Sequence, residues 1–175
     1  PADARATCSR LSCVLGGSRS NVPFATGEGA LTGVRRDWVL GTSVYQWGRN
    51  TAKGIRTIVE ASGGKILDEL LVPQNTRDFS TQLKRIQQLK PGVIATAVGG
   101  DDINVLRQQV RRAGLDKSFA WINNQQDWPD VYGGGQEALF GIFGTNWYWG
   151  LNLPGVPEFV QRYQKANPGY RIPKP

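Results

Sequence analysis

The chain has 175 residues, 39% of them hydrophobic, with 21 basic against 14 acidic side chains and no histidine. This length and apolar content suit one domain with a core that folds without staples, and exclude a disordered chain. The absence of histidine excludes Ser-His-Asp and Cys-His catalysis, histidine metal sites and a histidine pH switch, and two cysteines cannot complete a zinc tetrad.

Residues 1–37 are rich in Arg, Ser, Gly, Ala and Thr and have little periodicity. They are read as a poorly defined N-terminal segment, irregular or mis-assigned in sequence. Cys8 and Cys13 lie here, five apart, as a local disulfide or as two incidental thiols. The chain carries no initiator Met and no recognisable signal peptide, so a processed form or a fragment is expected.

Regular patterning begins at Trp38. Trp38-Val39-Leu40-Gly41-Thr42-Ser43 reads as a buried strand. Residues 50–62 place Ala52, Ile55, Ile58, Val59 and Ala61 at helical spacing, and Gly63-Gly64 ends that helix. Lys65 to Val72 is a second strand, closed by Pro73. A second helix is predicted from Asp78 as N-cap, with Phe79, Leu83, Ile86 and Leu89 on one face, Lys90 in its last turn and Pro91 as its stop. Val93 to Val98 is a continuous β-prone run, as in a central parallel strand. Gly99-Gly100-Asp101-Asp102 turns the chain into a third helix with Ile103, Leu106, Val110 and Ala113 inward and Gly114 at its end. Phe119 to Ile122 is a fourth strand, and a Gly-rich connection over Tyr132 to Gln136 leads to a fifth at Phe140 to Gly144. A short helix over 156–166 and a proline-rich tail from Pro168 follow.

Strands alternating with helices imply an α/β fold: βαβ units and a mostly parallel, doubly wound sheet with helices on both faces. The predicted lobe spans 38–149, and 150–175 holds the helix and tail. No run approaches the roughly 18 apolar residues of a membrane span, so no direct membrane insertion is expected. The +7 charge is scattered over helix faces without a basic run, so no nucleic-acid partner is expected.

Ligands of open α/β sheets bind at the carboxyl ends of the strands. Those ends carry Thr42, Ser43, Tyr45, Gln46 and Trp47; Gly99, Gly100, Asp101 and Asp102; Asn123, Asn124, Gln125 and Gln126; and Thr145, Asn146, Trp147, Tyr148 and Trp149. Aromatic walls with amides and a carboxylate suit a small polar organic ligand. Each feature has a structural alternative. Tyr45 and Trp47 can pack over the sheet edge, Asp101 can be a helix cap, Asn123 and Asn124 can be turn residues, and the aromatic triplet can be core. The phosphate-binding motifs Gly-x-Gly-x-x-Gly and Gly-x-x-x-x-Gly-Lys-Ser/Thr are absent, as is Gly-x-Ser-x-Gly. Two carboxylates at the first turn after Gly99-Gly100 would repel a pyrophosphate. An enzyme using Asp101 and Asp102 is the weaker reading, because adjacent residues at a helix start point in different directions.

The run Trp38 to Gly48 resembles the segment that opens the second lobe of type I periplasmic substrate-binding proteins, the branched-chain amino acid and amide-binding group that serves ABC importers. Many members have Asp-Tyr after that strand; Val44 stands here in place of the Asp. The likeness continues in order through Ala61-Ser62-Gly63-Gly64-Lys65, Thr76-Arg77-Asp78-Phe79-Ser80, Lys90-Pro91-Gly92-Val93-Ile94, Gly99-Gly100-Asp101, Arg112-Ala113-Gly114-Leu115, Tyr148-Trp149 and Pro157 to Tyr163.

The resemblance implies two α/β lobes joined by a hinge of three crossovers, of which this chain is the second only, incomplete relative to the family fold. It implies extracytoplasmic (periplasmic) capture of a small-molecule ligand without catalysis or cofactor, with the missing first lobe and an importer permease as partners. By position, Tyr45, Trp47, Gly100, Asp101, Asn123, Asn124, Gln125 and Tyr148 form the ligand site, with no metal. Amino-acid binders place an acid where Asn123, Asn124 and Gln125 stand, so an amide or an aromatic acid is as well suited as an amino acid. The alternative is a sensory ligand-binding module or an α/β regulator.

Overall fold

The computed structural model describes residues 36–169 with the exception of 125, 127, 146 and 148. Cys8, Cys13 and the irregular segment expected at 1–37 therefore lie outside the described residues, apart from 36 and 37.

The β-prone runs form five strands: β1 (Asp37–Ser43), β2 (Lys65–Val72), β3 (Val93–Ala97), β4 (Ala120–Asn123) and β5 (Ile142–Phe143). They pair in the order β2-β1-β3-β4-β5, and every pair is parallel. Between them run α1 (Gln46–Ala61), α2 (Ser80–Leu89), α3 (Asp101–Arg112) and α4 (Trp128–Gly134), and α5 (Val156–Ala166) follows β5.

The two-residue period of the strands divides the core into two layers. Trp38, Leu40, Val93, Ala95 and Ile122 face α1, which answers with Ala52, Ile55 and Val59. Val39, Val72, Ile94 and Trp121 face the opposite way and meet Leu83 and Ile86 of α2 and Leu106 and Val110 of α3. Helices thus cover both faces, and the central strands β1 and β3 are apolar along both, as parallel strands must be. Trp121 keeps its indole N–H satisfied by donating to the Leu115 carbonyl at 3.0 Å.

Several boundaries differ from the sequence pattern. The first helix begins at Gln46, so Gln46 and Trp47 belong to its opening turn instead of a loop. The second begins at Ser80; Asp78 accepts the Ser80 N–H at 2.9 Å, which holds its carboxyl below the ordinary range, while Phe79 takes the cap position and is fully buried. Lys90 lies past the last turn in the left-handed conformation, where its N–H donates to Ile86. The connection expected at Tyr132 to Gln136 instead continues α4 to Gly134 and then a 3-10 turn, Gln136–Ala138. Its glycines leave no apolar period to read, and packing against α3 decides the helix. The fifth strand is only two residues long, because pairing ends at Phe143 opposite Asn123.

The helix α5 buries none of its side chains. Phe159 and Tyr163 stack at 6.4 Å on its surface, and Trp147 sits edge-on to Phe159 at 5.8 Å. Among the described residues no helix is long and apolar enough to cross a membrane.

Phe79 joins α2 to the layer beneath Val39 and Val72. Phe79→Ala should cost about 3–5 kcal/mol in urea unfolding. Leu153→Ala, at a half-exposed position, should stay within about 0.5 kcal/mol of the parent.

Candidate functional site

Strand β1 lies between β2 and β3, so the chain leaves its carboxyl end toward one side and later returns on the other. This is the topological switch point of the sheet, where connections diverge. The residues following β1 and β3 meet there.

Tyr45 and Trp47, just after β1, stack on one another with ring centroids 5.9 Å apart and planes 21° from parallel. Both are half-buried. Beneath them passes Gly99, following β3. A Cβ there would lie 2.6 Å from the Tyr45 hydroxyl oxygen and 3.4 Å from the Trp47 ring. Glycine at 99 is what lets the aromatic pair settle onto the turn. Gly100 adopts φ 64°, ψ −152°, a conformation essentially restricted to glycine, and it occupies the cap position of α3.

The two acids after it separate. Asp101 is exposed and opens α3, but the cap is Gly100, and no side chain caps this helix. Asp102 is buried, accepts the Asn75 N–H at 3.0 Å and pairs with Arg77 at 3.5 Å. It ties the loop after β2 to α3. One carboxylate is thus structural and the other solvated, and they do not form a dyad.

Asn123 ends β4 and Asn124 lies in the turn that follows it, and both are buried. Asn123 Oδ1 accepts from the Thr96 hydroxyl at 3.0 Å and lies 3.4 Å from Arg107 Nε. The Asn124 backbone N–H donates to the Thr96 carbonyl at 3.0 Å. Gln126, also buried, donates its side-chain amide to the Val98 carbonyl at 3.2 Å. These amides knit the carboxyl ends of β3 and β4 together. Gln125 and Tyr148, and Asn146 beside them, lie outside the described residues. Trp147, once a candidate core residue, is 48% exposed.

The structure therefore brings Tyr45, Trp47, Gly99 and Gly100 together at the switch point, with Asp101 at its rim and Asn123 and Asn124 one strand away. Sequence reasoning passed over Arg107, a helix arginine indistinguishable by spacing from its solvated neighbours. It is 1% exposed, beside Asn123 and 4.3 Å from the Phe143 ring centroid. Burial lowers its pKa to about 10, offset in part by the charge of Asp130, so it remains a cation at neutral pH.

The profile of the family described as Periplasmic binding protein matches residues 2–175. The chain belongs to the periplasmic binding protein family. Solved structures of this type share its fold. A periplasmic binding protein from Burkholderia mallei aligns with TM-score 0.76 and 25% identity over 87% of this chain and 40% of its own. A branched chain amino acid ABC transporter periplasmic ligand-binding protein from Burkholderia xenovorans aligns with TM-score 0.76 and 22% identity, over 93% and 43%. A solute binding protein of an ABC transporter from R. palustris, solved in complex with benzoate, aligns with TM-score 0.73 and 19% identity, over 89% and 42%. A search of curated protein sequences gives no match. This periplasmic binding protein chain spans less than half the length of these structural relatives.

Two glycine substitutions separate contact from strain. Gly99→Ala should push the Tyr45 ring off the turn and change Trp47 fluorescence, with a small loss of melting temperature, because the displaced atom ends a movable side chain. Gly100→Ala meets no atom within 4 Å yet should cost about 1–3 kcal/mol in chemical unfolding, through backbone strain alone.

Proposed function

We infer that this chain forms the second lobe of an extracytoplasmic solute-binding protein that captures a small polar organic ligand for an ABC importer. The observation that carries this reading is the stacked Tyr45–Trp47 pair over Gly99 at the topological switch point. A half-buried aromatic platform beside buried amides offers a π surface for an apolar ligand body and hydrogen bonds for its polar end. No step in this role needs a nucleophile or base. Capture is a population shift: the ligand favours the closed arrangement because only there does it touch both lobes.

Amino acids, amides and aromatic acids are the ligand classes this reading admits. Support comes from relatives of the same fold named as a branched chain amino acid ABC transporter periplasmic ligand-binding protein and as a solute binding protein in complex with benzoate. The chain covers 40–43% of those relatives' length, so a first lobe and an importer permease are its proposed partners. The exposed rings of Trp147, Phe159 and Tyr163 fit a surface that the first lobe covers. Periplasmic localisation follows from the same reading.

A lobe that supplies half of a clamp binds weakly by itself. Titration of the chain with leucine, benzamide and sodium benzoate, followed by Trp fluorescence, should give saturable binding in the millimolar range for at least one of them. Trp47→Ala should weaken that binding about tenfold or more, in line with an aromatic contact worth about 1.5 kcal/mol. Micromolar binding by the chain alone would overturn the two-lobe requirement. Binding that ignores both Tyr45→Ala and Trp47→Ala would overturn the site.

A further inference from the structure

A strand at the edge of a sheet presents main-chain N–H and C=O groups that a further strand can take up. Among the described residues β5 ends one side of this sheet, and its two residues, Ile142 and Phe143, are too few to seat a partner. The other side ends in β2, which has eight residues, Lys65–Val72. This strand is rich in apolar side chains, Ile66, Leu67, Leu70, Leu71 and Val72, and Leu71 is 50% exposed. By length and composition β2 is the edge on which another strand would settle.

Three features of β2 oppose such pairing. Asp68 and Glu69 stand at the centre of the strand, and successive residues of a strand point to opposite faces. Each finds an arginine on the helix that covers its face: Arg85 of α2 donates to Asp68 at 2.7 Å, and Arg56 of α1 donates to Glu69 at 2.9 Å. Each carboxylate side chain is 30% exposed, and surface ion pairs add little to stability, so the placement of these two asks for another reason. Asp68 also accepts the backbone N–H of Glu69 at 2.9 Å, and a donor spent on a side chain is not offered to a ladder. Finally, the pairing with β1 steps from Trp38–Ile66 to Val39–Asp68, so that Leu67 is an extra residue on β2. A bulge of this kind bends an edge away from a flat partner.

We propose that β2 is a latent pairing edge for a second copy of this chain, kept shut by Asp68 and Glu69. The longest two-fold antiparallel registers centre on these acids and set Asp68 opposite the Asp68 of the second copy, or Glu69 opposite Glu69. Like charges directly opposite destabilise a strand pair, and pairing would also strip water from both ion pairs. Two carboxylates repel a copy of themselves and not a neutral or basic strand, so the guard is directed at self-association. With the charges removed, the same strand would join two sheets into one and cover Leu71. Each lobe has one such edge, so association through it stops at a dimer.

The test compares the parent with the double variant Asp68→Asn, Glu69→Gln, which removes both charges and keeps oxygens that accept from the two arginines. Light scattering after size exclusion should find the parent a monomer throughout, while the mass of the double variant rises toward twofold over a roughly hundredfold increase in concentration. Hydrogen exchange should show the amides of residues 65–72 gaining protection only in the concentrated variant. Adding Leu71→Lys returns a charge to the edge and should restore the monomer. The pair Arg56→Gln, Arg85→Gln leaves both carboxylates on the strand and should stay monomeric. Far-UV circular dichroism checks that each variant is folded, and the single variants Asp68→Asn and Glu69→Gln carry the same expectation if the double variant does not fold. A folded double variant that stays monomeric at every concentration would overturn the proposal. So would a parent that already pairs through β2, dimerisation of the arginine variant, or association without new protection at 65–72. Association that Phe159→Ser reverses and Leu71→Lys does not would place the interface on α5 and overturn it as well.

Discussion

A parallel strand cannot be reached by a tight turn, so the chain must cross over one face of the sheet each time it returns to the same edge. In this lobe β1 is flanked on both sides by such strands. The crossover through α1 carries the chain outward to β2 over one face. The crossover through α2 carries it back past β1 to β3 over the other face, and α3 continues in that direction. The connections leaving β1 and β3 therefore diverge, and the stacked Tyr45 and Trp47 lie across from one to the other, over Gly99. The candidate site depends on this divergence, which sets the residues after β1 beside those after β3 at the carboxyl edge of the sheet.

The core and the site divide the labour between apolar and polar burial. Away from the carboxyl ends, both faces of β1 and β3 are apolar and packed. Toward them, the strands end in Thr42, Ser43, Thr96 and Asn123, all buried. Some of these groups are satisfied within the lobe, as Thr96 is by Asn123 and Ile122. Others are not: the hydroxyls of Thr42 and Ser43, the amide nitrogen of Asn123 and the oxygen of Gln126 are buried without partners. Unsatisfied polar groups are rare in packed interiors; these four stand at or just past the carboxyl ends of strands, while Trp38 Nε1 near the amino end of β1 and Gln82 Oε1 on α2 are unpartnered as well.

At the other extreme stands α5, an amphipathic helix with an aromatic stripe and no side chain buried. Its aromatic side chains stack on one another at the surface and not against the sheet.

Much of the fold was legible because its signals are local. The apolar run Val93 to Ala97 can only be a strand buried on both faces, and the spacing of Phe79, Leu83, Ile86 and Leu89 belongs to a helix. Their alternation determined the α/β class and the parallel sheet, and hence the edge that holds the site. The helix α4 escaped because its glycines carry no period. Arg107 escaped because burial is a property of the fold: by spacing it is one more arginine on a polar helix, and only β4 and β5 closing over α3 make it a desolvated cation. The sequence by itself determined which residues stand at the strand ends. The tertiary structure alone decided which of those ends meet, since strand order is set by pairing across long separations, and so seated Tyr45 and Trp47 on Gly99 and sent Asp101 and Asp102 to different duties.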